Sequence, residues 1–141
     1  MKHLLFGLLL LFCVSAKGIE VTHGPWICDM DSTGATIVWV TDKPGLSWVE
    51  IAPEGKDHFY GKVRPRYYDV LAGRKLLTDS VHRVRVTGLK PDSRYRYRVF
   101  TQQVDEWRYD DWVSLGKTAC TDVWKGKPYE FTTYPVKPRE I

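Results

Sequence analysis

Between residues 82 and 100 the chain reads HRVRVTGLKPDSRYRYRVF, with apolar side chains at every second position on both sides of a Lys-Pro-Asp-Ser break. A period of two belongs to a strand, whose successive side chains point to opposite faces of a sheet. A helix would need spacings of three and four. His82, Val84 and Val86 therefore share one face, and Arg83, Arg85 and Thr87 the other. Beyond the break, Tyr95, Tyr97 and Val99 are expected inward, with Arg94, Arg96 and Arg98 toward water. The stretch describes two strands, each half buried on a common core. His82, on the inward side, is expected to be a core histidine with a hydrogen-bond partner, since buried polar groups find partners. Leu89, Pro91 and Tyr95 fit a tyrosine corner, in which a Tyr near the start of a strand sends its hydroxyl back to the backbone just upstream.

The rest of the chain carries further short alternating runs and no convincing amphipathic helix. GPWICDM places Trp26, Cys28 and Met30 on one face, and ATIVWVT places Ala35, Ile37 and Trp39 on one face. SWVEIAPEG sets Val49 and Ile51 opposite Trp48 and Glu50; HFYGKV and RYYDVLAG read as edge strands around Pro65, and PYEFTTYP as the last strand. Asp, Pro and Gly clusters at residues 31–34, 42–45 and 53–55 supply turns. Short strands at this spacing predict an all-β fold, an antiparallel β-sandwich of about seven to nine strands. Trp39 and Tyr95 are expected to be buried.

The first residues, MKHLLFGLLLLFCVSAKG, combine a basic start, an apolar run and the small-residue pattern Val14-Ser15-Ala16. This is the form of a secretory signal peptide over residues 1–16, which predicts export to the periplasm or the exterior. The run is too short to span a bilayer, which takes about 20 residues, so no membrane association is expected after cleavage. Removing Lys2 with the leader leaves 20 of the 21 basic residues against 17 acidic ones. The two signs are interspersed, unlike the basic stripe of a nucleic-acid binder, and nucleic acid is not an expected partner. Export permits a disulfide between Cys28 and Cys120; the other reading is two small buried hydrophobes. His23, His58 and His82 are too widely separated in sequence to suggest a metal site.

Other candidates for chemistry are weak. Asp105-Glu106 and Asp110-Asp111 are adjacent pairs, and neighbours on a strand point opposite ways. Ser80 and His82 are not read as a dyad, and Cys120 has no His nearby in sequence. The informative segment is 102–127, far longer than an ordinary hairpin loop of 2–5 residues. It carries Trp107, Tyr109, Trp112 and Trp124 beside acidic residues. Those aromatics either extend the core, dock on a partner domain, or form a platform for carbohydrate.

ATIVWVT, SWVEIAPEG, HRVRVTGLKPDSRYRYRVF and YEFTTYP together resemble a fibronectin type III, immunoglobulin-like domain. More specifically they resemble the N-terminal domain of purple acid phosphatases and related bacterial metallophosphoesterases. The resemblance covers roughly residues 24–135, with His82 and Tyr97 tipping it toward the phosphatase type. It implies a domain over residues 17–135, residues 136–141 as a linker, and a separate catalytic domain with two metal ions as partner. The Gly-Asp, Gly-Asn-His and His-x-His motifs of that catalytic part are not found in these 141 residues. The resemblance thus implies a non-catalytic accessory module with no cofactor of its own. Trp39, His82, Leu89, Pro91, Tyr95 and Tyr97 would be structural residues.

Overall fold

A computed structural model describes residues 18–107, 113–121 and 128–137. The leader, Tyr109, Trp112, Trp124, the Asp110-Asp111 pair and residues 138–141 lie outside the described residues. The order along the chain is β1 (Val21–Cys28), β2 (Ala35–Thr41), β3 (Gly45–Pro53), a single 3₁₀ turn (Phe59–Gly61), β4 (Arg66–Tyr68), β5 (Val70–Leu71), β6 (Arg74–Lys75), β7 (Val81–Val86), β8 (Arg94–Trp107), β9 (Val113–Cys120) and β10 (Tyr129–Thr132).

All pairings are antiparallel. One sheet has the order β1-β2-β7; the other runs β10-β8-β3-β4, with β9 also on β8. The sheets are not closed into a barrel, and the fold is an all-β sandwich. The β7 and β8 strands of the opening sequence pattern fall in different sheets, one on each side of the core. β3 occupies one edge of β8 over residues 95–103, so β10 (opposite residues 94–97) and β9 (opposite residues 100–107) must follow one another along its other edge.

The alternation explains the core. Ala35, Ile37 and Trp39 from β2 and Val84 and Val86 from β7 meet Val49 and Ile51 from β3, Tyr97 and Val99 from β8 and Phe131 from β10. Trp39 is fully buried and ties the sheets together, its indole N–H donating to Thr101 Oγ1 at 2.9 Å. Thr101 in turn shares a hydrogen bond with Ser47 at 2.8 Å, so a polar indole nitrogen is satisfied inside an apolar interior. Tyr95 is half-buried, and its hydroxyl accepts the Lys90 N–H at 2.8 Å, which fixes the connection from β7 to β8. Leu89 is buried beneath that connection and Pro91 is exposed on it. β1 is an edge strand whose register shifts around Gly24-Pro25. Gly24 sits at φ +80°, and a Cβ there would lie 2.9 Å from Val38 O, so the bulge requires glycine.

The structure departs from the sequence pattern in four places. HFYGKV is not a strand: it forms the 3₁₀ turn, whose Phe59 is buried against the second sheet. Trp26 and Cys28 of β1 face outward while Ile27 packs on the core, and Met30 folds in beyond the strand's end. Arg96 and Arg98 are buried, at 5% and 1% exposure, although they alternate with core residues as solvent-facing positions do. Finally, β8 does not stop near Thr101 but continues to Trp107 and returns as β9, so the expected long loop begins as a β-hairpin.

Candidate functional site

The buried arginines follow from a third layer. After β3 the chain crosses back over the outer face of the second sheet, and Asp57 is held there between two guanidinium groups. Its carboxylate accepts from Arg64 Nη2 and Arg96 Nη2, both at 2.8 Å. Those bonds hold the Asp57 carboxyl at about 2, well below the usual carboxylate range, with the Arg64 hydrogen bond the largest cause. Arg64 also donates to the carbonyls of His58 and Phe59, and Arg96 to those of Pro53 and Asp57. The segment is thereby fastened to β8, and Phe59 lies between it and the sheet.

Beside this clamp, Arg98 lies 4.2 Å from the Tyr60 ring centroid and 4.9 Å from that of Phe100. Phe100 stacks on Trp48 at 5.3 Å, Trp48 meets Tyr68 at 6.1 Å, and Arg66 lies 4.9 Å over Trp48. Cations over aromatic faces are stabilised by the ring quadrupole, and this explains how guanidinium groups fill a covered face. Arg98 Nη2 donates to Thr121 O at 2.9 Å and lies 3.4 Å from Cys120 Sγ. Its Nε and Nη1 have no hydrogen-bond partner among the described residues. The rows of arginine on β7 and β8 therefore do not form two solvated faces; Arg83 and Arg85 on β7 and Arg94 on β8 are exposed, while Arg96 and Arg98 are covered.

The hairpin of β8 and β9 projects past this layer. Trp107 pairs with Val113 at its outer end and is 55% exposed, and Leu115 is exposed on the returning strand. Asp105 and Glu106 are exposed neighbours on the same arm. The chain leaves the sandwich at the opposite end, where Thr133 N–H donates to Ser93 O and Tyr134 N–H to Asp31 O. β8 has 14 residues, so about 40 Å of strand separate Arg94, next to this exit, from Trp107. Of the four aromatics singled out in the sequence, Trp107 alone falls among the described residues.

Cys28 and Cys120 are both exposed and form no disulfide. They are neither a disulfide nor buried hydrophobes, because β1 and β9 lie in opposite sheets and both thiols face outward. The three histidines do not converge. His23 is exposed on β1 beside Thr22, and His58 is exposed on the covering segment. His82 is buried at 1% exposure, with Nε2 2.6 Å from Thr41 Oγ1 and its ring 5.4 Å from that of Trp39. Burial lowers its pKa to about 4, against a smaller opposing influence from Asp79. Burial likewise pushes the Tyr97 hydroxyl upward, with Tyr129 adding to the shift. Among the described residues no three His, Cys, Asp or Glu side chains come together to hold a metal ion. These side chains do not fit a dimetal centre, and no metal-dependent step is assigned to them.

Sequence reasoning missed the covering layer. The signal available was Phe59-Tyr60 flanked by Asp57 and Arg64, an aromatic pair with opposite charges in a stretch otherwise rich in turn residues. No curated protein matches the chain. A family profile described as Purple acid Phosphatase, N-terminal domain matches residues 26–116, from the middle of β1 into β9. That span holds β2 to β8, the tyrosine corner and the covering layer, and on it the chain belongs to the purple acid phosphatase N-terminal domain family.

Proposed function

We propose that this chain is the non-catalytic N-terminal accessory module of an exported metallophosphoesterase. Its work is to pack on a dimetal phosphatase domain and help shape access to that domain's site. Membership of the family over residues 26–116 carries the reading. Support for a packing role comes from the arm of β8 and β9, which holds an indole 55% exposed beyond the body of the sandwich. Tryptophan is enriched at the energetic centres of interfaces. Because the arm and the chain's exit lie at opposite ends of β8, the partner would lie along the length of the sandwich rather than cap one end. Two-metal chemistry, in which paired ions clamp the attacking and leaving oxygens of a phosphate ester, belongs to that partner.

Sedimentation velocity of the module with a separately produced purple acid phosphatase catalytic domain tests the reading. The two should associate, and Trp107→Ala should weaken the complex by about tenfold or more, the usual loss at an interface hot spot. The module alone should hydrolyse no p-nitrophenyl phosphate. Absence of a complex, or a complex indifferent to Trp107→Ala, refutes docking through the arm. A titration in which Trp107→Ala abolishes glycan binding by the isolated module would favour a carbohydrate surface instead.

A further inference from the structure

A second feature lies on the other side of the sandwich. A groove of about 620 Å³ runs over the seam where β7, at the edge of one sheet, meets β4, at the edge of the other, with the hairpin of β5 and β6 as its wall. The seam is built by specific bonds. Tyr67 donates its hydroxyl hydrogen to Thr87 O at 2.8 Å, Asp69 N–H donates to Ser47 O, and Asp69 accepts the Arg83 N–H at 3.3 Å.

Among the described residues four cationic side chains line this groove, Arg66, Lys75, Arg83 and Arg85, and no carboxylate does. Two of the four charges are already balanced nearby. Arg85 pairs with Asp31 and donates to Asp29 O and Thr36 Oγ1, which orients its guanidinium. Arg66 lies 3.5 Å from Glu50. Arg83 and Lys75 have no carboxylate within salt-bridge distance among the described residues, and Asp69, which accepts the Arg83 N–H, interacts with the Arg83 charge from beyond that distance. Lys75 Nζ instead lies 3.7 Å above the Tyr68 ring, with its charge at the groove wall. Like charges gathered in a concavity repel one another and focus a positive potential. Arginine's planar fork matches oxyanions in particular, and charge-assisted bonds to phosphate or sulfate are among the strongest available.

We propose that the groove between β4, the hairpin of β5 and β6, and β7 is a binding site for a ligand carrying two or more phosphate or sulfate groups, with Arg83 and Lys75 as its main contacts. The site is independent of the arm bearing Trp107 and stands whether or not that arm docks on a partner. A single monovalent anion would leave one of the two cations without a salt-bridge partner, which is why the ligand is multivalent.

Calorimetric titration of the chain with inorganic tripolyphosphate, and in parallel with a sulfated heparin oligosaccharide, tests the site. At low salt at least one should bind with one site per chain, and binding should weaken as salt rises, as expected of charge pairing. The double variant Arg83→Gln, Lys75→Gln should weaken that binding by about tenfold or more, since a hydrogen bond to a charged group is worth roughly a factor of ten. Arg94→Gln, an exposed cation on β8 outside the groove, should leave it unchanged. Tighter binding of tripolyphosphate would assign a phosphate ligand, and tighter binding of the oligosaccharide a sulfated one; either supports the site. Binding by neither probe, or equal loss in the double variant and in Arg94→Gln, overturns it. Amide chemical shifts of wild-type Gly73 and Thr36, which line the groove, should move on titration; their failure to move overturns it without recourse to variants.

Discussion

His82 gives the sharpest test of how the core is built. Its ring is buried beside Trp39 and bonded to Thr41, and burial holds its pKa at about 4 against 6.5 for an exposed histidine. The unfolded chain therefore binds one more proton than the folded one between those two values. Stability linked to His82 is fully present above the unfolded pKa and is lost as pH falls toward the folded one. Each pH unit inside the window is worth about 1.4 kcal/mol. The full loss approaches about 3 kcal/mol, and roughly 2 kcal/mol of it falls between about pH 7.5 and about pH 5. Urea melts of wild type and His82→Gln across that range isolate the term, since carboxylates titrating in both proteins cancel in the difference. Wild type should lose its advantage over the variant progressively as pH drops. A difference between the two that stays flat to within about 0.5 kcal/mol over that range would refute the buried neutral imidazole.

Three further outcomes follow from the packing. Trp39→Ala removes a fully buried indole and the hydrogen bond to Thr101, and should cost about 3–5 kcal/mol in urea unfolding. Asp57→Asn should lower stability above about pH 4, and the gap from wild type should close as pH falls from about 4 to about 2, the window between the unfolded and folded pKa of the depressed carboxyl; acid titration followed by fluorescence reads this. Arg98→Met should leave the domain within about 1 kcal/mol of wild type or make it more stable, because it replaces a buried charge, two of whose nitrogens have no hydrogen-bond partner among the described residues, by an apolar chain of similar reach; a loss above about 3 kcal/mol in urea melts would mean that the bond to Thr121 and the ring contacts dominate.

The sandwich was legible because its inner faces are written in local alternation. Ala35, Ile37 and Trp39, then Val84 and Val86, then Tyr97 and Val99 declare one side of each strand as interior. Arg96 and Arg98 were illegible for the same reason. Their places in the alternation are those of any solvated face, and only a segment some forty residues upstream, arriving through Asp57, covers them. Burial by a distant loop leaves no periodic trace in the strand that it buries. The far half of β8 lacked a signal too, since Gln102, Gln103, Asp105 and Glu106 give no apolar rhythm, and beyond Gln103 the ladder to β9 extends it. Trp107 could be singled out by its chemistry but not placed. The cationic groove joins residues from β2, β4, β6 and β7, none of which forms a motif along the chain.

The shared edge of β8 has a consequence for how sequence can be added to this domain. Thr121 N–H donates to Val99 O, and Tyr129 lies opposite Tyr97, so the two ends of the interval between β9 and β10 are pinned only two residues apart on the same strand. Each ladder sets its own register from β8, and neither transmits register to the other. The number of residues in that interval is therefore decoupled from the alignment of the sheet. Loop-closure entropy grows only slowly with length, so a peptide or a small domain inserted between Thr121 and Tyr129 should leave the tyrosine corner and the pairing of both ladders unchanged.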